Sequence, residues 1–348
     1  MRIVAVSALA MCGASLLAAA SQATAPAVAN GSVLHRQPCE HSAPNYAEYR
    51  TRQLATFQQE ATASQALGLK TRPVADAASA LSGEREYAER NRGDSVRCER
   101  LTYSSDGLRV IAYLWRPAGA HKNERLPLIV FNRGGALEDS KLRPNTQFGF
   151  DRFVKAGYVV LGSQYRGNDG GEGHEELGGA DLHDVAALIT LGHALEYVDQ
   201  NNTYALGYSR GAMMTLLAIR AGVKFNAAAL VGAPTDLTKA LASTDPRSTQ
   251  TFRSLIPNFD ADPLAALRER SALFWAEEVS SPLLILQGAA DPLVSAFNNA
   301  LPFAARLHEL HKPYELVVYD GDTHGVMVNG RDRDARILEW FARFRQVP

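Results

Sequence analysis

Gly207-Tyr208-Ser209-Arg210-Gly211 follows a short apolar run, Thr203-Tyr204-Ala205-Leu206, and precedes a small-residue helical pattern, Ala212-Met213-Met214-Thr215-Leu216-Leu217-Ala218. A G-x-S-x-G between a strand and a helix is the pattern of a nucleophile elbow. The turn is so sharp that the serine's neighbours must be small, and glycine meets that demand at both i−2 and i+2. The hydroxyl then stands clear of the backbone, beside the positive end of a helix dipole. Three fixed positions in five also recur by chance, so partners elsewhere in the chain decide the reading.

Working outward from the elbow, apolar strands alternate with helical segments. Strands are expected at 126–131, 158–161, 203–206, 227–231, 282–286 and 314–319, and helices near 150–156, 180–198 and 331–344. Leu101-Thr102-Tyr103, a Ser105-Asp106-Gly107 turn and the run from Leu108 to Trp115 read as a hairpin. Continuous apolar strands between amphipathic helices predict a mostly parallel sheet with helices on both faces, an α/β fold. Residues 235–280 interrupt the alternation with short helices. That insertion lies where the C-terminal ends of strands converge, the place of a lid or substrate wall, with a purely structural excursion as the alternative.

A serine hydroxyl needs a base to take its proton, and the base needs an orienting acid. After an elbow, the acid is expected behind a late strand and the histidine behind the last one. Gln287-Gly288-Ala289-Ala290-Asp291-Pro292-Leu293-Val294 starts where one strand ends, and Asp320-Gly321-Asp322-Thr323-His324-Gly325 follows the final strand. Ser209, Asp291 and His324 are therefore the candidate triad. Asp236, Asp320 and Asp322 compete as acids, whereas His174, His183 and His193 precede the elbow and break the order. Oxyanion donors are expected from the backbone N–H of Arg210 and from the loop Asn132-Arg133-Gly134-Gly135.

With 46% hydrophobic residues and a net charge of −1, the chain can bury a large core and has no electrostatic footprint for nucleic acid or an anionic membrane. Met1-Arg2 and the Ala-rich run to Ala20 read as a secretory signal over 1–23, so the expected location is periplasmic or secreted. The run is broken by Ser7, Cys12, Gly13 and Ser15, a poor membrane span, so no stable membrane association is expected once it is removed. Cleavage leaves Cys39 and Cys98, a candidate disulfide in an oxidising compartment, with two buried free thiols as the alternative. Residues 24–97 read as a helical arm packed on a catalytic domain over 98–348. No metal or cofactor is implied, since the histidines lack H-E-x-x-H spacing and the cysteines lack C-x-x-C.

Together these residues resemble the α/β-hydrolase fold and, more narrowly, the catalytic domain of the prolyl oligopeptidase family of serine peptidases. The likeness runs from about Leu101 to Phe344. It rests on Tyr165-Arg166-Gly167 with Gly170-Gly171-Glu172-Gly173, the elbow, Arg270-Ser271, and the Asp291 and His324 segments. The glycine-rich stretch lacks G-x-G-x-x-G order and reads as a turn system packing against the elbow, with Asp181 capping the next helix. The resemblance implies Gly135 as the second oxyanion donor and the Arg133 side chain as an extra substrate contact. It also implies that Arg210, where many relatives carry Tyr, Trp or His, favours a carboxylate-bearing or polar substrate. An ion pair between Arg210 and a lid carboxylate is the alternative. Residues before Leu101 are too few and too helical for the family's β-propeller.

The expectation is an exported serine hydrolase acting through an acyl-enzyme on a small molecule or short peptide. A prolyl-oligopeptidase-like peptidase comes first and a carboxylesterase for small acyl or sugar esters second. A non-catalytic binding protein on the same fold is the rival from another class. The sequence leaves the oligomeric state open.

Overall fold

From Leu128 to Phe131 every residue is apolar, and alternate side chains enter opposite cores: Leu128 and Val130 one, Ile129 and Phe131 the other. That is how a strand covered on both faces must read. In the computed structural model, which describes residues 28–39, 45–91, 95–121, 123–137, 141–143, 147–242 and 246–347, this strand belongs to a single nine-stranded sheet. The expected signal at 1–23 lies outside the described residues.

In chain order come β1 (Val33–Pro38), α1 (Tyr46–Ala66), α2 (Val74–Ala80), α3 (Glu84–Asn91), β2 (Val96–Ser105), β3 (Leu108–Pro117) and β4 (Leu126–Asn132). Then follow α4 (Gln147–Lys155), β5 (Val159–Ser163), α5 (Leu182–His193), β6 (Val198–Tyr208), α6 (Arg210–Arg220) and β7 (Ala228–Val231). The chain ends with α7 (Pro246–Leu255), α8 (Pro263–Glu269), β8 (Leu283–Gly288), α9 (Ala300–Glu309), β9 (Tyr314–Tyr319) and α10 (Gly330–Arg343). The strand order is β1-β2-β3-β5-β4-β6-β7-β8-β9, antiparallel from β1 through the β3/β5 pair and parallel thereafter. This is the α/β-hydrolase architecture.

The β2–β3 hairpin closes on Asp106-Gly107, both with positive φ (52° and 78°), the two-residue turn whose twist matches its strands. Helices α5, α6 and α9 cover one core, while α4 and α10 cover the other. Along α10, Asp334, Ile337, Trp340 and Phe341 form one buried face at helical spacing. Phe341 is fully buried and stacks on Tyr204 at 4.7 Å, so truncating it to alanine is worth about 3–5 kcal/mol.

One feature differs from the sequence reading. The arm is not wholly helical, because β1 adds an antiparallel edge strand to β2. Its residues, Val-Leu-His-Arg-Gln-Pro, are mostly exposed and paired on one side only, so they carry no period that sequence could reveal. Cys39 and Cys98 are bonded, with Cα atoms 5.4 Å apart, which fastens the end of β1 to β2. The insertion between β7 and β8 is helical as expected, and Phe252, Leu255, Phe259, Leu267 and Trp275 join the first core.

Candidate active site

Ser209 sits between β6 and α6 at φ 53°, ψ −124°, a conformation that L-residues avoid and that a sharp strand-to-helix turn imposes. Its amide donates to the Val231 carbonyl at 2.8 Å. The flanking glycines are required by close approach: a Cβ on Gly211 would lie 1.8 Å from the Asn132 carbonyl oxygen at the end of β4. One on Gly207 would lie 2.5 Å from the Gly211 carbonyl.

Asp291 leaves the end of β8 and is buried. Its Oδ1 accepts the Leu293 and Val294 amides at 2.9 and 2.8 Å. Its Oδ2 accepts Gln287 Nε2 at 3.0 Å and lies 2.7 Å from His324 Nδ1. Four contacts thus fix the carboxylate and aim it at one edge of the imidazole. His324 rides on a loop built by Asp322, whose fully buried carboxylate accepts the amides of Thr323, Val328 and Asn329. Burial alone favours neutral imidazole. The hydrogen bond and charge of Asp291, with a further contribution from Glu60 on α1, outweigh it and hold the His324 pKa above 6.5.

The imidazole lies beside the elbow. Gly232, at φ 59° directly after the Val231 that holds Ser209, is so close that a Cβ there would sit 3.0 Å from His324 Cε1. Sequence gave no sign of Gly232, because its constraint comes from a loop far along the chain. Ser209 Oγ and His324 Nε2 share no hydrogen bond among the described residues, which is common before substrate binds.

The competing groups are elsewhere. Asp236 accepts from Thr238 and takes no part in the His324 contacts, Asp320 is exposed, and Asp322 serves the loop. His183 lies on Asp106, His193 on Thr203, and His174 is exposed. Among the described residues no group of three or more His, Cys, Asp or Glu is arranged for a metal ion. None of their helices is long and apolar enough to cross a membrane.

The two arginines expected near substrate are scaffold instead. Arg133 is 1% exposed and donates to the carbonyls of Gly134, Leu137 and Gln164. Arg210, also buried, pairs with Glu175 at 2.8 Å and Asp181 at 2.7 Å. Both guanidinium groups lie over the Tyr165 ring, their carbons 5.3 and 4.8 Å from its centre. The partners of Arg210 come from the loop after β5, not from the insertion. Asp181 occupies the cap position of α5 but makes no side-chain cap; its carboxylate holds Arg210 and the Gly178 amide. On the nucleophile's other flank, Gly135 has φ 64°, and a Cβ on Gly134 would approach Ser209 Cβ to 3.3 Å.

The arm reaches the site directly, a role sequence did not reveal. Ser64 Oγ on α1 donates to the Ala290 carbonyl at 2.6 Å, next to Asp291. The Arg72 amide donates to Gly321 O at 2.9 Å, on the loop leading to His324. Phe57, Ala61 and Ala77 pack against Met327 and Val328 just beyond His324. The arm therefore clasps both the acid loop and the base loop.

With this geometry in place, similarity to known proteins is specific. The sequence model of the prolyl oligopeptidase family matches residues 144–346, more than half of the chain. The chain belongs to the prolyl oligopeptidase family. It is thereby a serine hydrolase of the serine-peptidase type. The uncharacterized peptidase YtmA of Bacillus subtilis (strain 168) is 29% identical over 234 residues, 66% of this chain and 86% of that protein. Among solved structures, a puromycin-hydrolyzing peptidase of Mycobacterium tuberculosis is 26% identical with a TM-score of 0.60, over 71% of this chain and 39% of that one. Pyrococcus horikoshii acylaminoacyl peptidase superposes with a TM-score of 0.62 over 76% of this chain and 44% of that one; at 18% identity it speaks for the fold alone. The chain thus spans about two fifths of these two solved chains.

Proposed function

We propose that this family member is an exported peptidase that forms an acyl-enzyme on Ser209. The observation that carries the reading is the 2.7 Å contact between Asp291 Oδ2 and His324 Nδ1, beside an elbow whose serine has strained backbone. His324 Nε2 takes the Ser209 proton as Oγ attacks the substrate carbonyl, and Asp291 fixes the tautomer and balances the imidazolium. The backbone amides of Arg210 and Gly135 serve as oxyanion donors. Collapse of the tetrahedral intermediate passes the proton from His324 to the leaving amine, and water then repeats the sequence to release the acyl group. Export is supported by the Ala-rich segment before residue 23 and by the Cys39–Cys98 bond, which suits an oxidising compartment.

A fluorophosphonate probe is expected to label the wild-type protein and to leave folded Ser209→Ala unlabelled. Labelling that survives the substitution overturns the nucleophile assignment. Peptidyl anilides and p-nitrophenyl esters assayed side by side test peptidase against esterase: anilide turnover marks a peptidase, and its absence beside ester turnover overturns that part.

A further inference from the structure

A cavity of about 490 Å³ opens beside the elbow, within the size range of small-ligand sites. It is walled by α4 and α10, and α1 with the turn after α2 closes it. Tyr208, which precedes the nucleophile, and Gly325, which follows the base, both line it. The lining also brings Arg152, Arg331 and Arg333 together around a single carboxylate, Asp334.

These three arginines are not equivalent. Arg333 is fully engaged: Nε and one terminal nitrogen hold Asp334 at 2.9 and 2.7 Å, and the other donates to Gly325 O at 2.7 Å. Its guanidinium also lies 5.2 Å from the Tyr208 ring centre, so it ties α10 to both the base loop and the elbow. Arg152 reaches Asp334 only at 3.5 Å. Arg331 reaches Glu86 only at 3.6 Å, and its side chain is 62% exposed. Such long contacts leave donors to spare for a better acceptor. The lining carries two positive charges in excess, of which Glu86, outside it, offsets one. Arg331 is the second residue of α10, whose N-cap residue Asn329 spends its side chain on Asp322; the amides of this first turn add positive potential, which Asp332 in the same turn partly offsets.

We infer that this cavity is the leaving-group subsite and that it receives a carboxylate one or two residues beyond the scissile bond. The inference rests on the triad proposed above. In that chemistry the histidine protonates the departing amine, so the departing segment must lie against the histidine loop, and the cavity meets that loop at Gly325. The carboxylate is the free C-terminus of the released piece or an acidic side chain within it. Arg331 and Arg152 provide its charge-assisted hydrogen bonds, and Arg333 fixes the wall.

The test is a matched set of N-acylated peptides that differ only beyond the scissile bond: a C-terminal acid, the corresponding amide, and an amide carrying an aspartate. Either carboxylate-bearing peptide is expected to be cleaved with kcat/KM about tenfold above the plain amide, the increment of one charge-assisted hydrogen bond. Whichever of the two gains tells a free C-terminus from an acidic side chain. Arg331→Ala and Arg152→Gln are expected to bring that ratio toward one. A readout free of turnover is calorimetric binding of the dipeptide Ala-Phe and of its amide to Ser209→Ala, with the acid binding about tenfold tighter. Equal cleavage of all three peptides, equal binding of acid and amide, or a ratio indifferent to both arginine variants overturns the inference. Fluorophosphonate labelling separates the two failures: a labelled enzyme without carboxylate preference sinks only the subsite, whereas an unlabelled one sinks the triad.

Discussion

Two groups of arginines flank the nucleophile, and they teach opposite lessons. Arg133 and Arg210 are almost wholly buried, both lie over the Tyr165 ring, and have their charges met by Glu175, Asp181 and backbone carbonyls. Arg152 and Arg331 line an open cavity with contacts of 3.5 and 3.6 Å. Residue type is the same in both groups. What differs is desolvation: a buried guanidinium must find compensating acceptors inside the protein, and those acceptors hold it away from a ligand. The first group holds the elbow and its neighbouring loop in place; the second is available to substrate.

The largest effect that bears on this contrast lies between the two groups. Asp291→Asn and His324→Ala are expected to lower kcat by about 10⁴-fold in steady-state assays, whereas Asp236→Asn leaves it nearly unchanged. If Asp236→Asn is the inactive variant, the acid is misassigned and the geometry around the elbow must be reread. Next comes pH. The base works only when neutral, and burial opposed by Asp291 and Glu60 leaves its pKa raised. The acid limb of kcat/KM should therefore lie above pH 6.5, and Glu60→Gln should move it downward. A limb at or below 6.5 contradicts the electrostatics described for His324. By the same linkage, His324 stabilises the fold below pH 6.5 and loses that contribution as pH rises through its raised pKa.

Smaller effects separate the arginine groups by stability. Arg210→Ala strands Glu175 and Asp181 in the interior and should cost about 3–5 kcal/mol, read from the urea midpoint. Ser64→Ala leaves the Ala290 carbonyl short of its donor and should cost about 1–3 kcal/mol. Its kcat should fall as well, which a merely structural serine far from the site would not cause. Arg331→Ala should change stability by no more than about 0.5 kcal/mol. If Arg331→Ala destabilises as much as Arg210→Ala, the distinction between the two groups fails.

Much of this was legible in sequence for a reason that varies from place to place. The elbow, the Asp291 loop and the His324 loop are each local: a strand ends, a turn follows, and the reactive residue stands at a fixed offset. The parallel sheet was readable because strands buried on both faces must be apolar throughout. The fates of Arg133, Arg210 and Asp181 were not readable. Whether a charged side chain faces substrate or a buried partner depends on residues 29 to 42 positions away, such as Asp181 for Arg210 and Glu175 for Arg133. Strand β1 escaped because an exposed edge strand with one neighbour has no hydrophobic period. The arm's clasp escaped because Ser64 is an ordinary helical serine until its partner, 226 residues later, is known.

That last distance also dictates an order of assembly. A chain emerging from its N-terminus makes α1 long before Ala290, Gly321 and Met327 exist, so the helix must wait for its seat until β8, β9 and α10 are in place. Contacts of such long range form late, because the loop they close costs entropy that earlier contacts have not repaid. The Cys39–Cys98 bond, which closes a span of only 59 residues, holds the start of the arm to the sheet edge during that wait and shortens the search. The acid and base loops then receive their last fastening from a helix made early, so hydrolytic competence arrives only once the arm has docked.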